Sequence, residues 1–477
     1  MDRERFTEHL AAPMGRGVVL SGGFDGHAGG VLCGDLVRIS VRVAGDRVVE
    51  AGFDAEGCGA LTAAASAAVT LVSGELLLEA GRVGTREIAA ELGGLSPGKL
   101  HAADLVGDAL HRALGAACID AAVPLDPRRT LVAMSGGVDS AVAALLVSRA
   151  GREAVAVTLE LWRDEENDAA ASCCSADAVR LARSVAHRMG MPHFTLDLRE
   201  EFRAGVVDPF LNGYGSGETP NPCVGCNGHV RLDAMLDMAT RLGAADLATG
   251  HYSRVTPDGL LRVAADPAKD QTYMLAALAP ESIARMRFPL AELTKPEVRA
   301  LASEAELPVA TRAESQDLCF LAGTGKARFL QRHAGLEDAP GEIVSSGGEV
   351  LGEHDGFQHF TVGQRKGLGV AAVEPLYVLR TEAGANRVVV GSRAELAVDR
   401  VAVRGARLHR PGAEVDAVRL RYHSRAVPCR VAGSPPVGTH RELELELSEP
   451  FYGAAPGQSA CLLRGDVIVG WATIVTR

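Results

Sequence analysis

The sequence predicts an α/β doubly wound parallel sheet, preceded by a small α+β domain and followed by small β-rich modules. Three observations carry that expectation. From Thr130 onward, short β-branched runs alternate with alanine-rich helical runs, which is how a parallel sheet with crossover helices reads in sequence. Ahead of it, two strand-like runs are followed by two helical ones. Beyond about residue 330 helices thin out, and short strand-like pieces separated by Gly, Asp and Pro take over. The chain has 477 residues, enough for about three domains with cores of their own.

In order, VRISVRVAG and RVVEAGFDAEG read as hairpin strands, and LTAAASAAVTLVSG and HAADLVGDALHRALGAACIDAA as helices; together they make a domain over 1–125. VPLDPRR, 123–129, combines proline with charge and reads as a linker. LVAM, AVAALLVSRAG, AVAVTLELW, DAVRLARSVAHRMG, HFTLDL and DLATGHY then alternate strand with helix within a domain placed at 130–328. GEIVSSGGEVLG and NRVVVGS belong to a small central domain, 329–392, and DVIVGWATIV to a C-terminal β-barrel domain, 393–477.

The composition is 47% hydrophobic and 23% charged, without a run of eighteen apolar residues or a leading basic and apolar segment. A soluble cytoplasmic protein with no membrane partner is expected. The net charge of -11 argues against non-specific coating of nucleic acid, while leaving room for a local basic groove that reads one RNA. Ten cysteines are too few for a disulfide scaffold of this length, so clustered thiols point to metal or sulfur chemistry.

The segment LVAMSGGVDSAVAALLV, 131–147, is strand, tight turn and helix. Gly136 and Gly137 let the backbone turn and expose N–H groups, Ser135 and Ser140 add hydroxyls, and a helix expected from Ala141 aims its positive end at the loop. Such a cradle fits a pyrophosphate. It lacks the lysine of the G-x-x-x-x-G-K-[ST] loop, which argues against kinases and motor ATPases, and Asp139 stands where a carboxylate can hold Mg²⁺. Downstream, TPNPCVGCNGH sets Cys223 and Cys226 in a C-x-x-C. Alone, that motif admits a zinc knuckle, a redox dithiol or part of a larger site.

SGGVDS resembles the PP-loop of ATPases that cleave ATP to AMP and pyrophosphate. TPNPCVGCN, ATGHYSR, KDQTYML, FPLAELTKPEVRALA, ESQDLCFL, FTVGQRKGLGV and APGQSA narrow the resemblance, over 130–477, to the bacterial tRNA-specific 2-thiouridylases. That family uses ATP to activate the C2 carbonyl of the wobble uridine of tRNAs for Glu, Gln and Lys, then replaces the oxygen by sulfur. The resemblance implies that Ser135, Gly136, Gly137, Asp139 and Ser140 hold the pyrophosphate end of ATP, with Leu159 and Gly250 at the adenosine end. Lys269, Asp270 and Gln271 match a tRNA-contacting KDQ, and Arg365 and Lys366 a basic turn near the anticodon arm. His251 reads more simply as a structural histidine.

Cys226 and Cys319 match the family's two sulfur-handling cysteines, one carrying a persulfide and the other assisting release through a disulfide. Cys223 stands where many members have Asp. With it, three thiolates can hold a [4Fe-4S] cluster and leave one iron open for hydrosulfide, an alternative to persulfide chemistry. Zinc would want a fourth ligand, for which Cys173 or Cys174 is available, although a loop ahead of a helix capped by Ser175 is the simpler reading of that pair. A cysteine desulfurase or a sulfur carrier is the implied source of sulfur.

The first 125 residues resemble iron-sulfur scaffold domains of the NifU N-terminal type. Cys33, Asp35, Cys58 and His101 match ligand positions, but the family's last cysteine is Ala102 here. The remaining donor set suits zinc better than a cluster. Two other classes remain: a metal or cluster carrier with a vestigial ATP half, or an argininosuccinate-synthase-like ligase acting on small molecules.

Overall fold

The computed structural model describes residues 3–18, 20–29, 34–164, 175–313, 318–321 and 323–475. Cys33, Cys173 and Cys174 lie outside them. The chain divides into two compact units. One comprises residues 1–199, 233–251 and 285–319, and the other 200–232, 252–284 and 320–477.

In the first unit, helix α1 (Arg3–Ala11) precedes an antiparallel sheet of β1 (Phe24–Gly29), β2 (Leu36–Ala44) and β3 (Arg47–Glu56), in that order. The alternation read from VRISVRV holds: Val37, Ile39, Val41 and Val43 are buried. β1 is an addition to the expected pair, since FDGHAG has no apolar alternation to announce it. Its Gly26 lets the strand lie directly on a helix, where a Cβ would stand 2.0 Å from the carbonyl oxygen of Ala109. Helices α2 (Gly59–Val72), α3 (Leu77–Ala80), α4 (Thr85–Glu91) and α5 (Leu100–Ala117) follow. The alanine run of α2 is buried on nearly every side, because methyl side chains let it pack closely all round.

The expected linker is structure in its second half. β4 runs from Asp126 to Ala133, and Arg129 is buried, bonding the carbonyls of Pro124 and Leu242 and the Glu153 carboxylate. Proline and charge suggested solvent, but the guanidinium satisfies itself inside the fold. β5 (Glu153–Glu160), β6 (His193–Asp197), β7 (Ala244–Ala248) and the short strand Met286–Arg287 complete a five-stranded sheet. All of its pairings are parallel. Helices α6 (Val138–Arg149) and α7 (Ala176–Arg188) make crossovers.

Within this unit the N-terminal domain is packed against the parallel sheet through α5. At Gly115 a Cβ would stand 1.9 Å from the carbonyl oxygen of Thr195 in edge strand β6. Asp108 pairs with Arg183 and Arg180 of α7 at 2.6 Å each, and Arg112 forks onto Glu160 at the end of β5. His111, between them, sets its two ring nitrogens 2.7 and 2.9 Å from the carbonyl oxygens of His193 and Val83. The backbone joins in, with the N–H of His193 donating to the carbonyl of Gly81.

The second unit holds two β modules. Strands Val350–His354, Gly341–Ser345, Arg387–Gly391 and Tyr377–Glu382 form one sheet in that order. In the other module, Ala397–Leu408 pairs with both Gly438–Tyr452 and Val467–Ile474, closing a barrel. The hairpin strands Arg254–Val255 and Leu261–Arg262 add to its Val467–Ile474 strand. Among the described residues no helix is long and apolar enough to cross a membrane.

Candidate functional site

The phosphate loop leaves the C-terminal end of β4, the end at which parallel α/β sheets bind ligands. Gly136 adopts φ +70°, a conformation that glycine takes without strain, and a side chain there would also press on the carbonyl oxygen of Ala178, 2.7 Å from a Cβ. The helix starts at Val138 rather than Ala141, so Asp139 and Ser140 lie in its first turn. The Ser140 hydroxyl ties the loop to itself, accepting from the N–H of Ser135 at 3.1 Å and donating to the carbonyl of Gly137 at 3.0 Å. Gly250 passes so near that a Cβ would lie 2.7 Å from the backbone nitrogen of Ser140. Leu159 is buried at the end of β5, and the ring of His251 bonds the hydroxyl of Thr249 at 2.9 Å.

Two cations reach this loop: Lys295, from the FPLAELTKPEVRALA segment quoted above without a role for its lysine, and Arg312. Lys295, 8% exposed, places its ammonium 2.7 and 2.8 Å from the two carboxylate oxygens of Asp139. Arg312 donates to the carbonyl of Gly136 at 2.9 Å. One signal was available. A lysine at the first position of a helix opposes the helix dipole, and the capping box of Thr294 and Glu297 marks Lys295 as occupying that position.

In the second unit, Asn221 caps a short helix by accepting from the N–H of Cys223 at 3.1 Å. Cys223 is half-buried and Cys226 buried, three residues apart, which puts them on one helical face. At Cys226 the helix widens into a π-turn, Cys226–Arg231, a distortion common at functional sites. Asn227, which reads in sequence as helix punctuation, is buried and donates to the carbonyl of Met274. Burial pushes the Tyr422 phenol up, and the charges of Asp270 and Cys223 add to the effect. Cys319 is half-buried and belongs to the first unit.

Of the matched KDQ, Asp270 turns inward. It is 6% exposed, accepts from the N–H of Ala264 at 3.1 Å and pairs with Arg419 at 3.1 Å. Its carboxylate thereby shapes the turn that carries the KDQ. The side-chain oxygen of Gln271 accepts from the N–H of Tyr252. Arg365 and Lys366 are exposed, on a turn anchored by Arg421, which donates to the carbonyls of Val362 and Gly453 at 3.0 Å each.

At the N-terminal site, Asp35, Cys58 and His101 bring one oxygen, one sulfur and one nitrogen within 4.8 Å of one another. The carboxylate of Asp35 accepts from the N–H of Cys58 at 2.9 Å. Gly57, at φ +146°, has to be glycine, since a Cβ would lie 2.1 Å from that carboxylate. The group opens into a cavity of about 470 Å³ lined also by Phe6, Leu10 and Lys99. Ala102 is fully buried and presents only a methyl group. The three donors suit zinc, which takes mixed N, O and S ligands.

Family models agree with this layout. Residues 1–117 match the NifU-like N terminal domain, 128–323 the tRNA methyl transferase HUP domain, 327–392 the tRNA methyl transferase PRC-barrel domain and 407–474 the aminomethyltransferase beta-barrel domain. The bifunctional protein NifU/MnmA of Rubrobacter xylanophilus is 44% identical over 99% of this chain and 98% of that protein. The tRNA-specific 2-thiouridylase MnmA of Methylorubrum extorquens is 44% identical over 73% of this chain and 92% of its own. The chain thus belongs to the bifunctional NifU/MnmA family, a tRNA-specific 2-thiouridylase, which is a sulfurtransferase, behind a NifU-like N-terminal domain.

Proposed function

We propose that the protein adenylates the C2 oxygen of the wobble uridine in tRNAs for Glu, Gln and Lys and then displaces AMP with sulfur. An amide-like oxygen is a poor leaving group and AMP a good one, so each turnover converts ATP to AMP and pyrophosphate. The observation that carries this reading is the Ser135–Ser140 loop. It couples a left-handed glycine, a self-bonded serine pair and a helix N-terminus at the ligand-binding end of a parallel sheet. Ser135, Gly136, Gly137 and Ser140 serve the phosphates, and the half-exposed carboxylate of Asp139 is an oxygen ligand of the kind Mg²⁺ requires. Leu159 and Gly250 border the adenosine. Lys269, Asp270, Gln271, Arg365 and Lys366 serve the tRNA, where phosphate contacts set register more than base choice.

Sulfur is handled at Cys223, Cys226 and Cys319. Three thiolates fit a [4Fe-4S] cluster, which when bound supplies an open iron for hydrosulfide. Cys226 and Cys319 alone would instead work through a persulfide supplied by a desulfurase or sulfur carrier. The helical face shared by Cys223 and Cys226 supports the former reading. The test is tRNA-dependent AMP formation together with mass spectrometry of the tRNA nucleosides. Cys226→Ser should abolish 2-thiouridine, and AMP formed equally without tRNA would defeat the proposal. Anaerobic iron counting separates the two sulfur routes: about four irons per chain support the cluster, whereas full activity of iron-free Cys223→Ala sinks it.

A further inference from the structure

Asp139 poses an electrostatic problem for a loop that receives a polyphosphate. A carboxylate in the first turn of the receiving helix repels the ligand unless a cation neutralises it. The fold supplies that cation from 156 residues downstream. Lys295 is buried, and its ammonium contacts both oxygens of Asp139 at 2.7 and 2.8 Å. Its position at the first residue of its own helix is electrostatically unfavourable, since dipole and ammonium have the same sign there. Helix-capping needs are met by Thr294 and Glu297 without it. The lysine is therefore explained by the anion it faces rather than by the helix it starts.

We propose that Lys295 is a positioning residue for ATP, resting on the nucleotide reading of the loop. In the nucleotide-free protein Lys295 holds the Asp139 carboxylate and keeps the loop neutral. When Mg-ATP binds, Lys295 yields that carboxylate to the metal, and its ammonium remains beside the phosphates as a cation of the cradle. Arg312, anchored on the carbonyl of Gly136 at 2.9 Å, adds a second positive group to the same wall. The exchange is non-covalent and balances in charge, one cation replacing another at Asp139.

The experiment is calorimetric titration of the full chain with ATP, once with Mg²⁺ and once with EDTA, for the wild type, Lys295→Met, Lys295→Arg, Asp139→Asn and the double variant Asp139→Asn/Lys295→Met. Loss of the lysine should weaken metal-free ATP by about tenfold or more, the scale of losing a hydrogen bond to a charged group, and weaken Mg-ATP clearly less. Lys295→Arg should retain metal-free binding, and the double variant should regain it. Thermal melts of the same samples read any purely structural loss. If Lys295→Met weakens both forms equally, or the double variant regains nothing, the exchange is overturned while the nucleotide reading stands. If the wild type binds ATP in neither condition, the nucleotide reading fails and the inference with it.

Discussion

Cys58, Asp35 and His101 offer a sulfur, an oxygen and a nitrogen, whereas Ala102 beside them offers nothing to a metal. Zinc titration of the full chain should show affinity falling by about tenfold or more in His101→Ala. Binding that is unchanged in His101→Ala would remove this group as a metal site. Single residues also mark how far reading by type can go. The Cys, Asp and His were visible in the sequence because their spacing matches a family pattern. Gly57 became intelligible only when the carboxylate of Asp35 was found where its Cβ would stand. The role of Lys295 was hidden for the same reason, as its partner lies 156 residues away in sequence.

Helix α5 shows what an element adds to its residues. One end carries His101 and the other packs on β6, while Asp108, His111 and Arg112 engage the ATP half in between. Arg183 is 3% exposed, so removing its partner strands a buried charge. Asp108→Ala should cost about 3–5 kcal/mol in denaturant unfolding, whereas Arg180→Ala, on the exposed side of the same carboxylate, should cost about 1 kcal/mol or less. Equal costs would contradict the buried role of Arg183. His111, His187 and His193 cluster at this contact, with ring centroids 5.1 to 6.3 Å apart. Burial pushes all three imidazoles down and Arg183 pushes the same way, with neighbouring histidines adding to the effect at His111 and His193. Chain carbonyls pull His111 and His187 back only in part. A histidine held neutral in the fold takes up its proton on unfolding. The stability it contributes is thus complete above its unfolded pKa of about 6.5 and lost as pH falls toward the lowered folded value. The melting temperature should drop between pH 7 and pH 5, with a shallower slope in His187→Gln. A slope identical to wild type would show that His187 does not titrate with unfolding.

At the scale of the whole molecule, the boundary at 125 read from sequence separates two families but not two bodies. The NifU-like domain and the five-stranded sheet lie in one compact unit, joined by buried ion pairs and by a helix seated on an edge strand. Deleting residues 1–125 would uncover Thr195 and the three-histidine contact, and leave Arg183 without its carboxylate. The truncated chain should therefore melt well below the full chain or aggregate. A truncated chain with the melting temperature of the full chain would show that the contact contributes little. Loss of thiolation in such a chain would not by itself speak for sulfur delivery, so point variants at Cys58 or His101 are the sounder probe of the N-terminal site.

Local patterns fixed much of this in advance. The strand alternation of VRISVRV, the strand-turn-helix around SGGVDS and the βα alternation from Thr130 depend on periodicity and on glycine, and both are written in consecutive residues. The packing of β1 could not be read that way, because Gly26 is explained by a helix about eighty residues later. The tertiary structure alone decided that VPLDPRR leads into a strand, that Asp270 faces inward and that Lys295 meets Asp139. Each of these is a buried charge whose cost is met by a partner distant in sequence, and a polar residue looks the same in a list whether water or a far segment will satisfy it.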